Sequence, residues 1–228
     1  MDSALSTAAR ALSVADPLTA LKHVALRSDP HALALRGIAM AQLGELGHAK
    51  ALLRRAAQGF GAGEPVARAR CIVAGAEVAL ALRELAGSER GLDDAVALLA
   101  KRGDAANAAF ARLVQVRRLT LLGEVERAEG VLGRLALAAA PPRLAALLSL
   151  AGADLAMKRV DSARAEQLLA MAREAATRAD VEQCLRPAAG TDRLTFAHVP
   201  IRSGSDPGLG RPTLTPPAVA DRFQAFVR

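Results

Sequence analysis

The side chains best suited to catalysis or metal binding are scattered along the sequence. The histidines fall on four different predicted elements, with no second ligand at metal-binding spacing: His23, His31, His48 and His198. Cys71 and Cys184 lie far apart and form no CxxC motif. No GxSxG-type turn marks a nucleophile. The sequence therefore predicts no catalytic residue, no metal site and no enzyme activity.

One glycine-rich stretch has residue types that can surround a phosphate. Residues 59–65 read GFGAGEP, and spaced glycines hold a phosphate where a strand precedes them and a helix follows. Here the preceding residues are predicted to be helical. Glycines that end one helix, followed by Pro65 at the start of the next, explain the stretch. The sequence therefore predicts no cofactor.

The composition indicates helices rather than strands. The chain has 228 residues, of which 52% are hydrophobic but only 2% aromatic, with no Trp and no Tyr. Ala, Leu and Arg dominate, and all three are good helix formers. The formal net charge of +7 would suit a nucleic-acid partner. The arginines, however, are interspersed with acidic residues, and few aromatics are available to stack on bases. DNA is therefore expected to be contacted only indirectly.

Neither secretion nor membrane insertion is expected. The first residues, MDSALSTAAR, carry an early acid and no long apolar core, so no signal peptide is predicted. No window offers about 20 uninterrupted apolar residues, which is the length that a membrane-spanning helix needs. Two isolated cysteines suit a reducing compartment. The sequence predicts a cytoplasmic protein with no membrane partner.

The elements are best seen in residues 33–56, LALRGIAMAQLGELGHAKALLRRA. These residues predict two short helices folded back on each other. Gly37, Ala49 and Ala56 are small enough to let the two backbones approach closely. The larger side chains that fill the gaps are Leu33, Met40, Leu46 and Leu53. This small–large pattern resembles the tetratricopeptide repeat, a helical hairpin of about 34 residues that stacks on copies of itself.

The same small residues recur further along the chain. Ala95, Ala128 and Ala163 open later second helices, at spacings of 33 and 35 residues. The sequence therefore predicts an all-α protein, an α-solenoid of about five antiparallel helical hairpins, over residues 1–179. An irregular helical bundle is the alternative. Residues 180–228 hold six of the eleven prolines and predict an irregular, disordered Pro/Gly-rich tail.

The repeat also predicts a binding surface. In solenoids of this type the first helix of each hairpin lines a concave groove, where partners bind. The residues that we assign to this groove are Ile38, Gln42, Ile72, Leu80, Phe110, Leu113, Arg117, Leu121, Leu148 and Leu155. The alternative is a shifted helix register that makes them ordinary core residues. Replacing Leu113 and Leu148 by Glu separates the two: core residues would unfold the protein, and groove residues would only lose the partner.

Four motifs carry a resemblance to a known group of proteins. They read ALALRGIAMAQLG (32–44), AKALLRRAAQGFG (49–61), PVARARCIVAGAEVAL (65–80) and RGDAANAAFARLVQVRRLTLLG (102–123). With them, residues 1–178 resemble the N-terminal helical-repeat arm of bacterial helix-turn-helix transcriptional regulators. In such regulators a winged-helix DNA-binding domain follows the arm. This chain departs from that pattern after about residue 180, which fits a truncated member or a stand-alone adaptor.

The sequence thus predicts a non-enzymatic protein-interaction module in bacterial regulation. Its groove would bind a helix or apolar surface, from a partner protein or from its own effector domain. The alternative is a DNA-binding transcriptional regulator that is truncated and lacks its winged-helix domain.

Overall fold

The computed structural model describes residues 2–86, 89–135 and 140–185. Within these ranges the chain forms ten α-helices and no strand, which confirms the predicted all-α class. The helices are α1 (Ser3–Ser13), α2 (Pro17–Val24), α3 (Pro30–Gln42), α4 (Leu46–Gly59), α5 (Pro65–Ala81), α6 (Glu89–Lys101), α7 (Ala105–Leu122), α8 (Val125–Leu132), α9 (Pro142–Lys158) and α10 (Ser162–Leu185).

The chain divides into two units. Met1–Gln183 forms one compact unit, and Cys184–Arg228 forms the other. The helix α10 runs through to Leu185, past residue 179, where the predicted solenoid ends. The predicted disordered tail lies outside the described residues from position 186 onward, as does His198.

Six turns in the described ranges share one design. Each has a residue in the left-handed backbone region, with φ between 57° and 84°, followed directly by an acidic residue. The backbone N–H of each acid donates to the carbonyl five residues earlier, at 2.9 Å in every case. This bond closes the preceding helix in a Schellman-type cap. The pairs are Ala15-Asp16, Gly44-Glu45, Arg83-Glu84, Gly103-Asp104, Gly123-Glu124 and Val160-Asp161.

A buried alanine follows four residues after the acid in five of these turns. The alanines are Ala20, Ala49, Ala108, Ala128 and Ala165, each at most 3% exposed. Their backbone N–H groups donate to the carbonyl of the acid, so each acid opens the next helix with a regular bond. The small side chain then lets that helix pack closely against its neighbour.

The position of the buried alanine shows that the predicted register of the last helix was wrong. Ala163 was expected to be the small contact residue of the last helix, but it is exposed, and Ala165 and Ala172 are buried instead. The reason is that Val160 takes the left-handed turn position and Asp161 caps α10, accepting from the backbone N–H of Arg164 at 3.0 Å. The helix therefore starts later than the sequence pattern suggested.

Helices from α1 to α9 pack in chain order, and alternate ones also touch. Each helix contacts the next one along the chain, and contacts also join α1 to α3, α3 to α5, α5 to α7 and α7 to α9. α3 and α4 approach closely, because a Cβ added at Gly37 would lie 2.7 Å from Leu53 Cγ. The predicted role of Gly37 is confirmed by this distance.

Four of the polar contacts between elements join residues at a nearly constant separation along the chain. His31 Nε2 lies 3.3 Å from Glu64 Oε1, and Arg70 Nη2 lies 2.6 Å from Asp104 Oδ2. Arg159 Nη2 lies 2.9 Å from Glu126 Oε1. The partners in these pairs are 33 or 34 residues apart, as are Lys50 and Glu84, which also form a salt bridge.

None of the helices in the described part of the chain combines the length and the apolar character that crossing a bilayer requires.

Candidate binding groove

An open groove of about 720 Å³ crosses the face formed by α3, α4, α5, α7 and the start of α9. Its floor is apolar and half-buried to buried. The larger floor residues are Ile38, Leu46, Val78, Phe110, Leu144 and Leu147. Because the floor draws on five helices, the groove depends on how they pack together rather than on any one of them.

Two amide side chains at the groove are already engaged by the protein. Gln42 Nε2 donates to the backbone carbonyl of Leu12 at 3.2 Å. Asn107 Nδ2 donates to Asp104 Oδ1 at 2.9 Å, next to the turn that starts α7. These side chains therefore tie the groove wall to neighbouring turns.

Three charged side chains line the groove: Glu77 on α5, Arg117 on α7 and Arg143 on α9. Arg117 Nη1 lies 3.7 Å from Glu77 Oε1, which is longer than a good charged hydrogen bond. Burial raises the pKa of the Glu77 carboxyl group above its usual value of 4.5, and the Arg117 guanidinium opposes that rise.

Arg143 differs from the other two charged groups. It lies in the first turn of α9, directly before the floor residue Leu144, and it is exposed. No carboxylate in the described ranges forms a salt bridge with it. A positive charge therefore stands at the α9 end of an apolar floor.

The structure brings four of the predicted groove residues together: Ile38, Gln42, Phe110 and Arg117 all line the groove. Ile72 and Leu80 instead pack, half-buried, against the core around α5, α6 and α7. Leu121 is exposed on α7 but does not line the groove.

Three predicted groove residues lie in the core, and their assignment to a surface was wrong. Leu113, Leu148 and Leu155 are 0%, 1% and 2% exposed. Leu113 and Leu148 share a cluster between α7 and α9, and Leu155 belongs to the cluster next to it. The physical reason is that helices packed on both sides carry apolar residues toward their neighbours as well as toward the groove.

Sequence reasoning also missed groove residues, among them Glu77, Asn107 and Arg143. The sequence could have indicated Glu77 as a groove residue, because it is the only acid in the otherwise apolar and basic run of α5, PVARARCIVAGAEVALA. Arg143 follows Pro141-Pro142 and had no signal beyond its place at a helix start.

A second cavity, of about 460 Å³, lies between α6, α7 and α8. Its polar wall mixes acids with bases. Gln115 donates to Asp93, and Arg118 Nη2 donates to the backbone carbonyl of Leu85 at 3.0 Å. Across the described residues, no group of three or more His, Cys, Asp or Glu side chains is placed to hold a metal ion.

Comparison with known proteins gives a short match to a curated enzyme. No family model matches the chain, and no solved structure matches it. A stretch of 48 residues is 52% identical to phosphonopyruvate decarboxylase of Streptomyces viridochromogenes. The stretch covers 21% of this chain and 12% of the length of that enzyme.

This match contradicts the prediction that the chain is not an enzyme, because the similar protein is a decarboxylase. The prediction rested on the lack of a local catalytic motif. Catalytic groups are brought together by the fold from distant parts of a chain, so the lack of a local motif was a weak argument. The resemblance to tetratricopeptide repeats and to regulators stays a prediction.

Proposed function

We propose that the helical unit Met1–Gln183 binds another protein by taking an amphipathic helix from it into the groove. The observation that carries this proposal is the open apolar floor across five helices. Exposed apolar surface of this kind is costly unless a partner covers it. A groove between helices is a common receptor for the apolar face of a partner helix.

Two further observations support reading the unit as a tetratricopeptide-like solenoid. Odd-numbered helices from α1 to α9 touch one another in series, as the inner helices of stacked hairpins would. The polar contacts at separations of 33 and 34 residues match the length of one such repeat. In this interpretation the module belongs to bacterial regulation and acts in the cytoplasm.

A labelled amphipathic model helix tests the binding function directly. We expect its fluorescence anisotropy to rise on titration with the full chain. Leu147→Gln should weaken that binding by about tenfold, because Leu147 supplies half-buried apolar surface to the floor. Met157→Gln is the matched control, since Met157 is exposed on the same helix and does not line the groove. Equal affinities for both variants and the wild type would refute groove binding.

The match to the decarboxylase favours a second candidate function, which is decarboxylation of phosphonopyruvate or a related 2-oxo acid. The identity of 52% over the matched stretch is its only support. The test is release of CO₂ from phosphonopyruvate by the purified full chain, with a small-molecule cell extract added to supply cofactors. Release no faster than with the extract alone would exclude this substrate.

A further inference from the structure

We infer that the helix bound in the groove is acidic at the end that lies over the start of α9, where Arg143 pairs with a carboxylate of the partner. This inference rests on the proposed function, because it names the chemistry of the partner that the groove accepts.

The charges of the groove carry the inference. Glu77 Oε1 and Arg117 Nη1 lie 3.7 Å apart in the groove lining, so their charges largely offset each other for an incoming ligand. Arg143 is the third charged residue of the lining, and no carboxylate in the described ranges offsets it. The lining therefore has one positive charge more than it has negative charges.

The position of that charge decides where the partner's acid must be. Arg143 precedes Leu144 and is four residues before Leu147, and all three line the groove at the start of α9. A partner helix whose apolar stripe ends over Leu144 and Leu147 would place its terminal turn near the guanidinium. An acid in that turn gains a charged hydrogen bond, whereas a lysine there meets a like charge.

The polar amides of the groove do not compete for this role. Gln42 and Asn107 are both hydrogen-bonded within the protein, to the Leu12 carbonyl and to Asp104. Arg143 is thus the lining group that is exposed, charged and available to a partner. Its long side chain can reach over the floor without moving the backbone.

Three model helices test the inference. They share one apolar stripe and differ at a single residue of a terminal turn, which is Glu, Gln or Lys. We expect the Glu helix to bind the wild-type chain most tightly and the Lys helix most weakly, with about a fivefold difference between them. Arg143→Glu should reverse that order. Added salt should reduce the differences in affinity between the three helices.

Arg173→Glu is the matched control for this experiment. Arg173 is exposed on α10 and does not line the groove, and its substitution changes the net charge by the same amount. It should leave the order of the three helices unchanged. If all three helices bind equally well, or if Arg143→Glu preserves their order, the inference fails while groove binding stands. If none of them binds, the proposed function fails as well.

Discussion

Glu77 shows what a single carboxyl group does in an apolar groove. Burial raises the pKa of this group above 4.5, and Arg117 only partly opposes the rise. A carboxyl whose pKa is higher in the folded than in the unfolded chain binds protons more strongly when folded. The contribution of Glu77 to folding stability is therefore greatest below the unfolded pKa and decreases as the pH rises through the raised folded pKa.

Replacing Glu77 with Gln should remove this loss of stability. At about pH 7 we expect Glu77→Gln to melt at a higher temperature than the wild type, whereas at about pH 4 the difference should shrink. Thermal unfolding followed by circular dichroism measures both values. Glu166→Gln, at an exposed position on α10, is the control for the loss of one acid. A wild type and a Glu77→Gln variant with parallel pH profiles would contradict the argument.

Val160 offers a second prediction for one residue. It is β-branched, 88% exposed and held at φ 60°, a backbone region that costs non-glycine residues about 1–2 kcal/mol. Val160→Gly should therefore stabilise the chain by about 1 kcal/mol and raise Tm by about 2–4 °C. The reverse change at an equivalent turn, Gly123→Val, should destabilise it, since Gly123 has φ 81°. A lower Tm for Val160→Gly would show that its side chain makes a contact worth more than the strain.

Paired helices give a prediction that depends on their spacing. A Cβ at Gly37 would lie 2.7 Å from Leu53 Cγ, whereas a Cβ at Gly75 would meet no atom within 4 Å. Gly37→Ala should thus separate α3 from α4 and cost about 1–3 kcal/mol. Gly75→Ala, also inside a helix, should stabilise the chain by about 0.5–1 kcal/mol through helix propensity alone.

Chemical denaturation of the two glycine variants measures both effects. The comparison is matched, because both substitutions add one methyl group in a helix interior. Equal destabilisation by both variants would mean that packing does not explain the effect of Gly37→Ala and that helix propensity does not explain that of Gly75→Ala. Stabilisation by both would mean that α4 moves away from α3 at little cost.

Helix starts were more predictable from sequence than helix ends. Asp16 and Asp29 are each followed by proline, a pair that marks a helix start, and each accepts a backbone N–H of the first turn of its helix, α2 or α3. The helix that starts at Pro65 ends at Ala81, although the helix-forming sequence continues to Leu85. Arg83 takes a left-handed conformation there and Glu84 caps the turn. No glycine marks that turn, so the sequence carried no conventional stop signal.

For the molecule as a whole, the helical class was predictable, but only part of the groove was. Leu147 and Leu148 make the difficulty plain. They are adjacent leucines on α9, yet Leu147 lines the groove and Leu148 is 1% exposed in the core. Helices rich in Ala and Leu are apolar on more than one face, so their sequence does not say which face meets a neighbour. The packing of α7 against α9 decides it.

Charged substitutions at the buried leucines should unfold the compact unit. Leu113→Glu and Leu148→Glu each place a charge among apolar side chains, with no partner to offset it in the surrounding cluster. We expect each substitution to lower the free energy of unfolding by about 3 kcal/mol or more, and to abolish cooperative unfolding near room temperature. Leu26→Glu, at a fully exposed site, should leave the far-UV spectrum unchanged. A folded Leu113→Glu chain would place that residue at a surface after all.

The acids of the turns have a mechanical consequence. The N–H of each acid bonds to the helix before it, and in five turns its carbonyl accepts a bond from the helix after it. A force that pulls one helix away from its neighbours therefore acts on the next helix through this single residue. A chain stretched from its two ends should therefore lose joined helices together, in pairs at α1–α2, α3–α4 and α9–α10 and as a set of three at α6–α8, because moving the acid breaks a hydrogen bond in each helix that it joins.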